Sequence, residues 1–143
     1  MTGRRRAARH RARNGYGRQA TGRRAANHQP LTPLTLLCRA AGVFPERTAI
    51  VHGALRRSYA KFYARSCRLA STLAGRGLGR GDTVSVLLPN VPAMLECHHG
   101  MPMAGAVLHA INTRLDAATV AFQLDHARAK VLIVDAEFAP LVV

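Results

Sequence analysis

Apolar and polar residues alternate in blocks along most of the chain, and the spacing within each block predicts helices and strands. Thr83 to Leu88 is a short, mostly apolar run that has glycine and aspartate before it and Pro89-Asn90 after it. A run of that length between turn residues is typical of a strand buried on both faces. Helical spacing precedes it over 60–76 and follows it over 91–104, where Asn90 is the candidate N-cap. This order favours an α/β protein with short parallel strands alternating with helices.

The same reasoning predicts further elements on both sides of this strand. Thr32 and Pro33 suit the cap and the first position of a helix that ends at Pro45. The remaining elements, in chain order, are a hairpin beginning with the strand 48–52, a second buried strand over 106–111, a helix over 117–126, a third strand over 130–134 and a helix starting near Glu137.

Charge is distributed unevenly along the chain, whose net charge is +14. Residues 1–29 hold nine arginines and no acidic residue, and they contain no Leu, Ile, Val or Phe. Such a stretch cannot bury enough apolar surface to fold, so we predict a disordered tail over 1–29 and a globular part over 30–143. The tail either binds nucleic acid or anionic lipid without sequence preference, or is an extension without a function. A mitochondrial transit peptide is disfavoured because the stretch has no apolar face.

The three cysteines and the lengths of the apolar runs bear on the cellular location of the protein and on whether it spans a membrane. Cys38, Cys67 and Cys97 form no closely spaced pair, and an odd number of scattered cysteines favours reduced thiols and a cytoplasmic location. Each falls in a predicted helix, where a buried small side chain is expected. No apolar run approaches the roughly 18–20 residues that span a bilayer, so no membrane span is predicted.

Two motifs invite a chemical interpretation that their context disfavours. The glycine-dense stretch 75–81 ends a helix and precedes a strand, whereas a nucleotide-binding loop follows a strand and opens a helix. We therefore predict a flexible connection there. Cys97-His98-His99 resembles a metal-binding cluster, but neighbouring residues on a helix point about 100° apart. One exposed and one packed histidine is the favoured interpretation, and we assign no metal ligands.

Arg114 is the candidate binding residue. It lies in the loop that follows the second predicted strand, and ligands of open α/β sheets bind at the carboxyl ends of the strands. A guanidinium group there can hold a phosphate through two hydrogen bonds. A solvated loop arginine remains the alternative on position alone.

An ordered series of short segments resembles one known family. The segments are similar in sequence and in order to its N-terminal part, and the resemblance covers about residues 26–143. They are Pro30 to Leu34, Thr48 to Gly53, Leu69 to Ala74, Gly81 to Val84, Leu88 to Asn90, Pro102 to Leu108, Asn112 to Asp116 and Lys130 to Asp135. On this basis the chain resembles the N-terminal part of AMP-forming acyl-CoA synthetases, members of the adenylate-forming superfamily. The fold expected is part of the N-terminal domain of such an enzyme, preceded by the tail.

The resemblance carries implications for activity. These enzymes join a carboxylic acid to ATP, release pyrophosphate, and transfer the acyl group to CoA with the help of Mg²⁺. The run Pro102 to Leu108 is similar to the branch that acts on short-chain, medium-chain or aromatic acids. In some members the Arg of the Asn-x-Arg-Leu motif contacts a CoA phosphate, a role that falls on Arg114. The family's phosphate loop, hinge and catalytic lysine match no segment here, so we assign no catalytic residue and expect a fragment that is inactive alone.

A different class of function remains as the alternative. The chain could be a small nucleic-acid-binding protein that acts through its arginine-rich tail, with binding that weakens steeply as salt is added. The tail lacks interleaved aromatic residues for stacking on bases, which weighs against this hypothesis.

Overall fold

The computed structural model describes residues 30–142, and the predicted order of elements is confirmed within that range. The predicted tail, residues 1–29, lies outside the described residues. The elements are α1 (Pro33–Val43), β1 (Thr48–His52), β2 (Leu55–Ser58), α2 (Tyr59–Gly75), β3 (Thr83–Leu87), α3 (Pro92–Met103), β4 (Val107–Ala110), α4 (Ala117–His126), β5 (Val131–Val134) and a 3₁₀ helix (Ala136–Leu141).

Three parallel strands form the sheet that organises the fold. Their order is β4-β3-β5, so β3 lies in the centre, and Ser85 is in register with His109 of β4 and Leu132 of β5. Four of the five residues of β3 are fully buried, which confirms the prediction of a strand covered on both faces. The strands β1 and β2 form a separate antiparallel hairpin.

The prediction that the second strand is buried is wrong. Within residues 30–142, β4 is an edge strand that pairs with β3 alone, and the Val107 side chain is 49% exposed. β5 is the other edge, and its four residues are half-buried. Short apolar runs look alike in a central and an edge strand, because the place of a strand in a sheet is set by long-range contacts rather than by its own composition.

Helices cover both faces of the sheet. On one face α2 and α3 pack against β3, with Leu73, Val86 and Met101 in a continuous buried cluster. On the other face Leu87 packs with Val120 of α4. These two layers fix β3 in the interior and leave the loops at the ends of the strands on the surface.

One predicted helix cap is confirmed and the other is wrong. The Thr32 hydroxyl accepts a hydrogen bond from the backbone N–H of Thr35 at 3.2 Å, as predicted for the start of α1. Asn90 does not cap α3. Val91 occupies the N-cap position without a side-chain hydrogen bond, because its extended backbone leads directly into Pro92 at the first helical position.

The cysteines differ in burial more than predicted. Cys97 is buried in α3, as expected, whereas Cys38 is exposed on α1 and Cys67 is partly exposed on α2. Burial, with a smaller contribution from the charge of Glu96, raises the pKa of the Cys97 thiol to about 11. Among residues 30–142 no helix is both long and apolar enough to cross a membrane.

Asp82 ties the glycine-rich connection to the sheet. One of its carboxylate oxygens accepts a hydrogen bond from the backbone N–H of Gly79 at 2.9 Å. The other lies 2.6 Å from the Lys130 ammonium, at the start of β5. The hydrogen bond from Lys130, and then the one from Gly79, lower the pKa of Asp82 below its ordinary value of 3.8. The Gly-Asp pair therefore holds a hydrogen-bonded turn between α2 and β3.

Replacing Asp82 by asparagine should make the chain's stability less dependent on pH. A depressed folded-state pKa means that ionised Asp82 stabilises the fold above about pH 4, and that this contribution is lost as the pH falls through the folded-state pKa. Thermal unfolding of the wild type and Asp82→Asn across this range measures the effect. The wild type should be more stable at pH 7 and the difference should vanish in acid. A difference that does not change with pH would contradict the assignment.

Candidate functional site

The carboxyl ends of the three parallel strands bring the candidate binding residue to one edge of the sheet. The loop after β4 carries Arg114 at this edge, Pro89-Asn90 follows β3, and Asp135 follows β5. The backbone N–H of Asp135 donates to the Leu87 carbonyl at 3.0 Å, which extends the ladder beyond the strands. The loops that follow the three strands therefore lie at one edge of a hydrogen-bonded sheet.

The loop that carries Arg114 is held at both ends. The Asn112 side-chain oxygen accepts from the backbone N–H of Arg114 at 3.0 Å, which makes a tight turn after the strand. Leu115 packs against the buried cluster beneath α4. Asp116 caps α4 by accepting from the backbone N–H of Thr119 at 2.9 Å, and this hydrogen bond lowers the pKa of Asp116. The Asn-x-Arg-Leu-Asp order therefore sets the loop's shape.

The Arg114 side chain is exposed. Within the described part of the chain, no carboxylate lies within salt-bridge distance of its guanidinium group. Its five N–H donors are free to meet an anion from solvent, and a planar guanidinium suits a phosphate or carboxylate. The structure thus puts Arg114 where the sequence predicted it.

A separate cavity of about 670 Å³ lies between the hairpin and α3. Its lining is mostly apolar, with Ile50 and Met94 among its walls. Its polar members are His52, Asn90, His98 and His99. Arg114 is not part of this lining, so the structure does not bring the cavity and the arginine into one pocket.

The histidines singled out in the sequence act within α3. The Nδ1 atoms of His98 and His99 lie 2.8 Å and 3.0 Å from the carbonyl oxygens one turn earlier, so each Nδ1 carries a proton and donates. His98 is exposed and His99 packs edge-on against Phe62, as predicted. In residues 30–142 no three His, Cys, Asp or Glu side chains are arranged to hold a metal ion.

Sequence reasoning missed a charge cluster centred on one buried carboxylate of α3. Glu96 is buried, and its carboxylate accepts hydrogen bonds from Arg57 of β2 and from Arg65 of α2, the latter at 2.6 Å. These ion pairs join the hairpin to both helices. The available signal was the single acidic residue of α3, and recognising its role required the tertiary contacts. The cluster touches neither the cavity nor Arg114, and a structural role explains it.

Comparison with known proteins connects this fold to an enzyme family. The sequence profile of the AMP-binding enzymes matches residues 37–142. A peroxisomal butyrate–CoA ligase from Arabidopsis thaliana is 54% identical over 117 residues, which is 82% of this chain and 20% of the relative. A peroxisomal benzoate–CoA ligase from the same plant is 48% identical over 81% of this chain and 20% of the relative. The chain thus spans about a fifth of the length of these relatives.

Solved structures agree with the sequence relatives. The o-succinylbenzoate CoA synthetase of Bacillus subtilis, in complex with ATP and a magnesium ion, superposes with a TM-score of 0.69 and 29% identity over 78% of this chain and 30% of that chain. The prediction of a cytoplasmic location is wrong, since four relatives from Arabidopsis thaliana are peroxisomal proteins by name. Fold, sequence profile and relatives converge, and the chain belongs to the AMP-binding enzymes, the family of the AMP-forming acyl-CoA synthetases.

Proposed function

We propose that this chain is the N-terminal portion of an ATP-dependent carboxylate–CoA ligase. The observation that carries the proposal is the match of residues 37–142 to the AMP-binding enzymes, together with 54% identity to a butyrate–CoA ligase. The reaction forms an acyl-adenylate and pyrophosphate and then transfers the acyl group to the CoA thiol. Butyrate and benzoate, the acids in the names of two relatives, lead us to propose a short-chain or aromatic acid as substrate.

The segment's contribution is scaffold and CoA contact rather than adenylation chemistry. Phosphoryl chemistry on ATP needs a bound divalent cation and preorganised cations around the phosphates. Residues 30–142 contain no strand–glycine loop–helix unit, and their glycine-rich stretch joins α2 to β3 in the opposite order. We therefore assign no step on ATP or Mg²⁺ to these residues.

Arg114 is the residue we propose to contact CoA. Its loop lies at the carboxyl edge of the sheet, its guanidinium is exposed, and the part of the chain described by the structure supplies it with no carboxylate partner. A nucleotide phosphate of CoA would be held by charge-assisted hydrogen bonds. Because CoA enters only in the second half-reaction, Arg114 should influence that step and leave adenylation unaffected.

The 143-residue chain should release no pyrophosphate from ATP when it is supplied with Mg²⁺ and butyrate, octanoate or benzoate. A coupled pyrophosphate assay measures this, with a full-length butyrate–CoA ligase as the positive control under the same conditions. Circular dichroism establishes that the chain is folded in the assay buffer. Acid-dependent turnover by the folded chain would contradict the assignment of a scaffold role.

A further inference from the structure

The outer face of α1 exposes apolar side chains with an arginine between them. Leu36 and Val43 are 57% and 58% exposed and lie seven residues apart, and Arg39 is exposed on the same side of the helix. Leu37, on the opposite side, packs into the core. Phe44 follows at the end of the helix and is 50% exposed. We call Leu36, Arg39, Val43 and Phe44 the α1 face.

Positive charge is concentrated in the part of the sequence that precedes and includes α1. Residues 1–47 carry eleven arginines and one acidic residue, a net charge of +10 (11 − 1), whereas residues 48–143 carry ten basic and six acidic residues, a net charge of +4 (10 − 6). The one acid of the first stretch, Glu46, is followed by Arg47, whose guanidinium lies 5.4 Å from the centre of the Phe44 ring. The exposed apolar α1 face therefore follows a strongly basic stretch in the sequence.

We propose that the α1 face docks on the surface of an anionic phospholipid bilayer, and that the arginines of residues 1–29 add long-range attraction to it. A short apolar stripe alone binds lipid weakly, and a basic segment alone gives reversible attraction, but the two signals together give stable attachment. Residues 1–29 contain no Leu, Ile, Val or Phe, and the exposed apolar side chains that follow them most closely in the sequence are Leu31 and those of the α1 face, to which we assign the apolar contact.

Charge and composition favour lipid over other partners. Nucleic acid would use the arginines but would leave Leu36 and Val43 exposed to water, since recognition of phosphates and bases relies on cations and stacking rings. A symmetric dimer through this face would bring Arg39 against its own copy, and like charges at close range are unfavourable. An anionic bilayer satisfies both the cationic and the apolar groups of the face.

Binding to vesicles tests the proposal. The 143-residue chain should co-sediment with vesicles of phosphatidylcholine and phosphatidylserine, bind phosphatidylcholine alone far less, and dissociate as salt is added. The double substitution Leu36→Ser and Val43→Ser should lower the partition coefficient about tenfold or more, because two apolar side chains no longer enter the interface. Both positions are exposed, so the thermal unfolding curve should match that of the wild type.

The matched control is Phe122→Ser on α4, where an apolar side chain is 66% exposed outside the α1 face. It should bind vesicles as the wild type does, and all three proteins should retard duplex DNA equally in a gel. The variant with Leu36→Ser and Val43→Ser is the α1 variant. If it bound vesicles as strongly as the wild type, the attraction would come from the arginines alone, and the proposal would be overturned. The proposal would also be overturned if Phe122→Ser lost vesicle binding to the same extent. It would be overturned too if the wild type bound no vesicles and the α1 variant differed from it in oligomeric state.

Discussion

Replacing Arg114 by alanine should weaken the use of CoA about tenfold to hundredfold while leaving adenylation nearly unchanged. The test needs a hybrid enzyme in which this chain replaces the matching segment of the butyrate–CoA ligase that is 54% identical to it. Loss of a charge-assisted phosphate contact costs about 1.5–3 kcal/mol, which corresponds to that change in affinity. The KM for CoA and the rate of pyrophosphate release without CoA separate the two half-reactions.

Arg80→Ala in the same hybrid is the matched control. Arg80 is also exposed, and it precedes β3 at the amino edge of the sheet, opposite the edge that carries Arg114. This variant should keep the parental KM for CoA. Equal losses in both half-reactions of Arg114→Ala would mean that the residue supports the fold, and an unchanged KM would mean that it is a solvated loop arginine.

Gly100→Ala is expected to destabilise the chain by about 0.5–2 kcal/mol. A Cβ atom at Gly100 would lie 2.9 Å from the Ser66 carbonyl oxygen and 2.9 Å from a methyl carbon of Leu69. The carbonyl belongs to the backbone of α2, so α2 and α3 would have to separate. Overpacking of this kind costs about 1–3 kcal/mol, of which better helix propensity returns about 0.5–1 kcal/mol. Thermal unfolding should show a midpoint several degrees lower.

Gly75→Ala provides the comparison for this prediction. Gly75 is also helical, at the end of α2, but a Cβ atom there would meet nothing within 4 Å. Its replacement should leave the unfolding midpoint unchanged or raise it slightly, since alanine favours helix. If Gly100→Ala behaved in the same way, the close approach of the two helices at Gly100 would not be a determinant of stability.

The order of elements could be predicted from the sequence because each apolar run is local and bounded by turn residues. Thr83–Leu87 forms the central strand where its composition placed it, and Thr32 caps α1 as its hydroxyl suggested. Exposure of β4 could not be predicted, because its neighbours in the sheet are set by contacts distant in sequence. Asn90 is not the cap because α3 begins at Pro92, so Val91, one residue later than predicted, occupies the N-cap position.

In the candidate site, too, the position of a residue after a strand could be predicted from the sequence, whereas contacts between helices could not. The place of Arg114 follows from a general rule about strand ends, so position alone predicted it. Glu96 and Gly100 are important because of their contacts with α2. Arg65 pairs with Glu96, and the Ser66 carbonyl lies close to Gly100. Neither partner is close to them in sequence. Such pairs emerge only when the helices are packed.

The hybrid enzyme itself tests the central claim most directly. With ATP, Mg²⁺, butyrate and CoA, it should form butyryl-CoA and pyrophosphate in equal amounts, measured by mass spectrometry and by a coupled assay. This result is expected because the chain is 54% identical to the segment it replaces and brings its own three-stranded sheet and Arg114 to the rest of the ligase. A hybrid that folds and binds ATP, yet forms no butyryl-CoA, would contradict the proposal that this chain is the N-terminal portion of a carboxylate–CoA ligase.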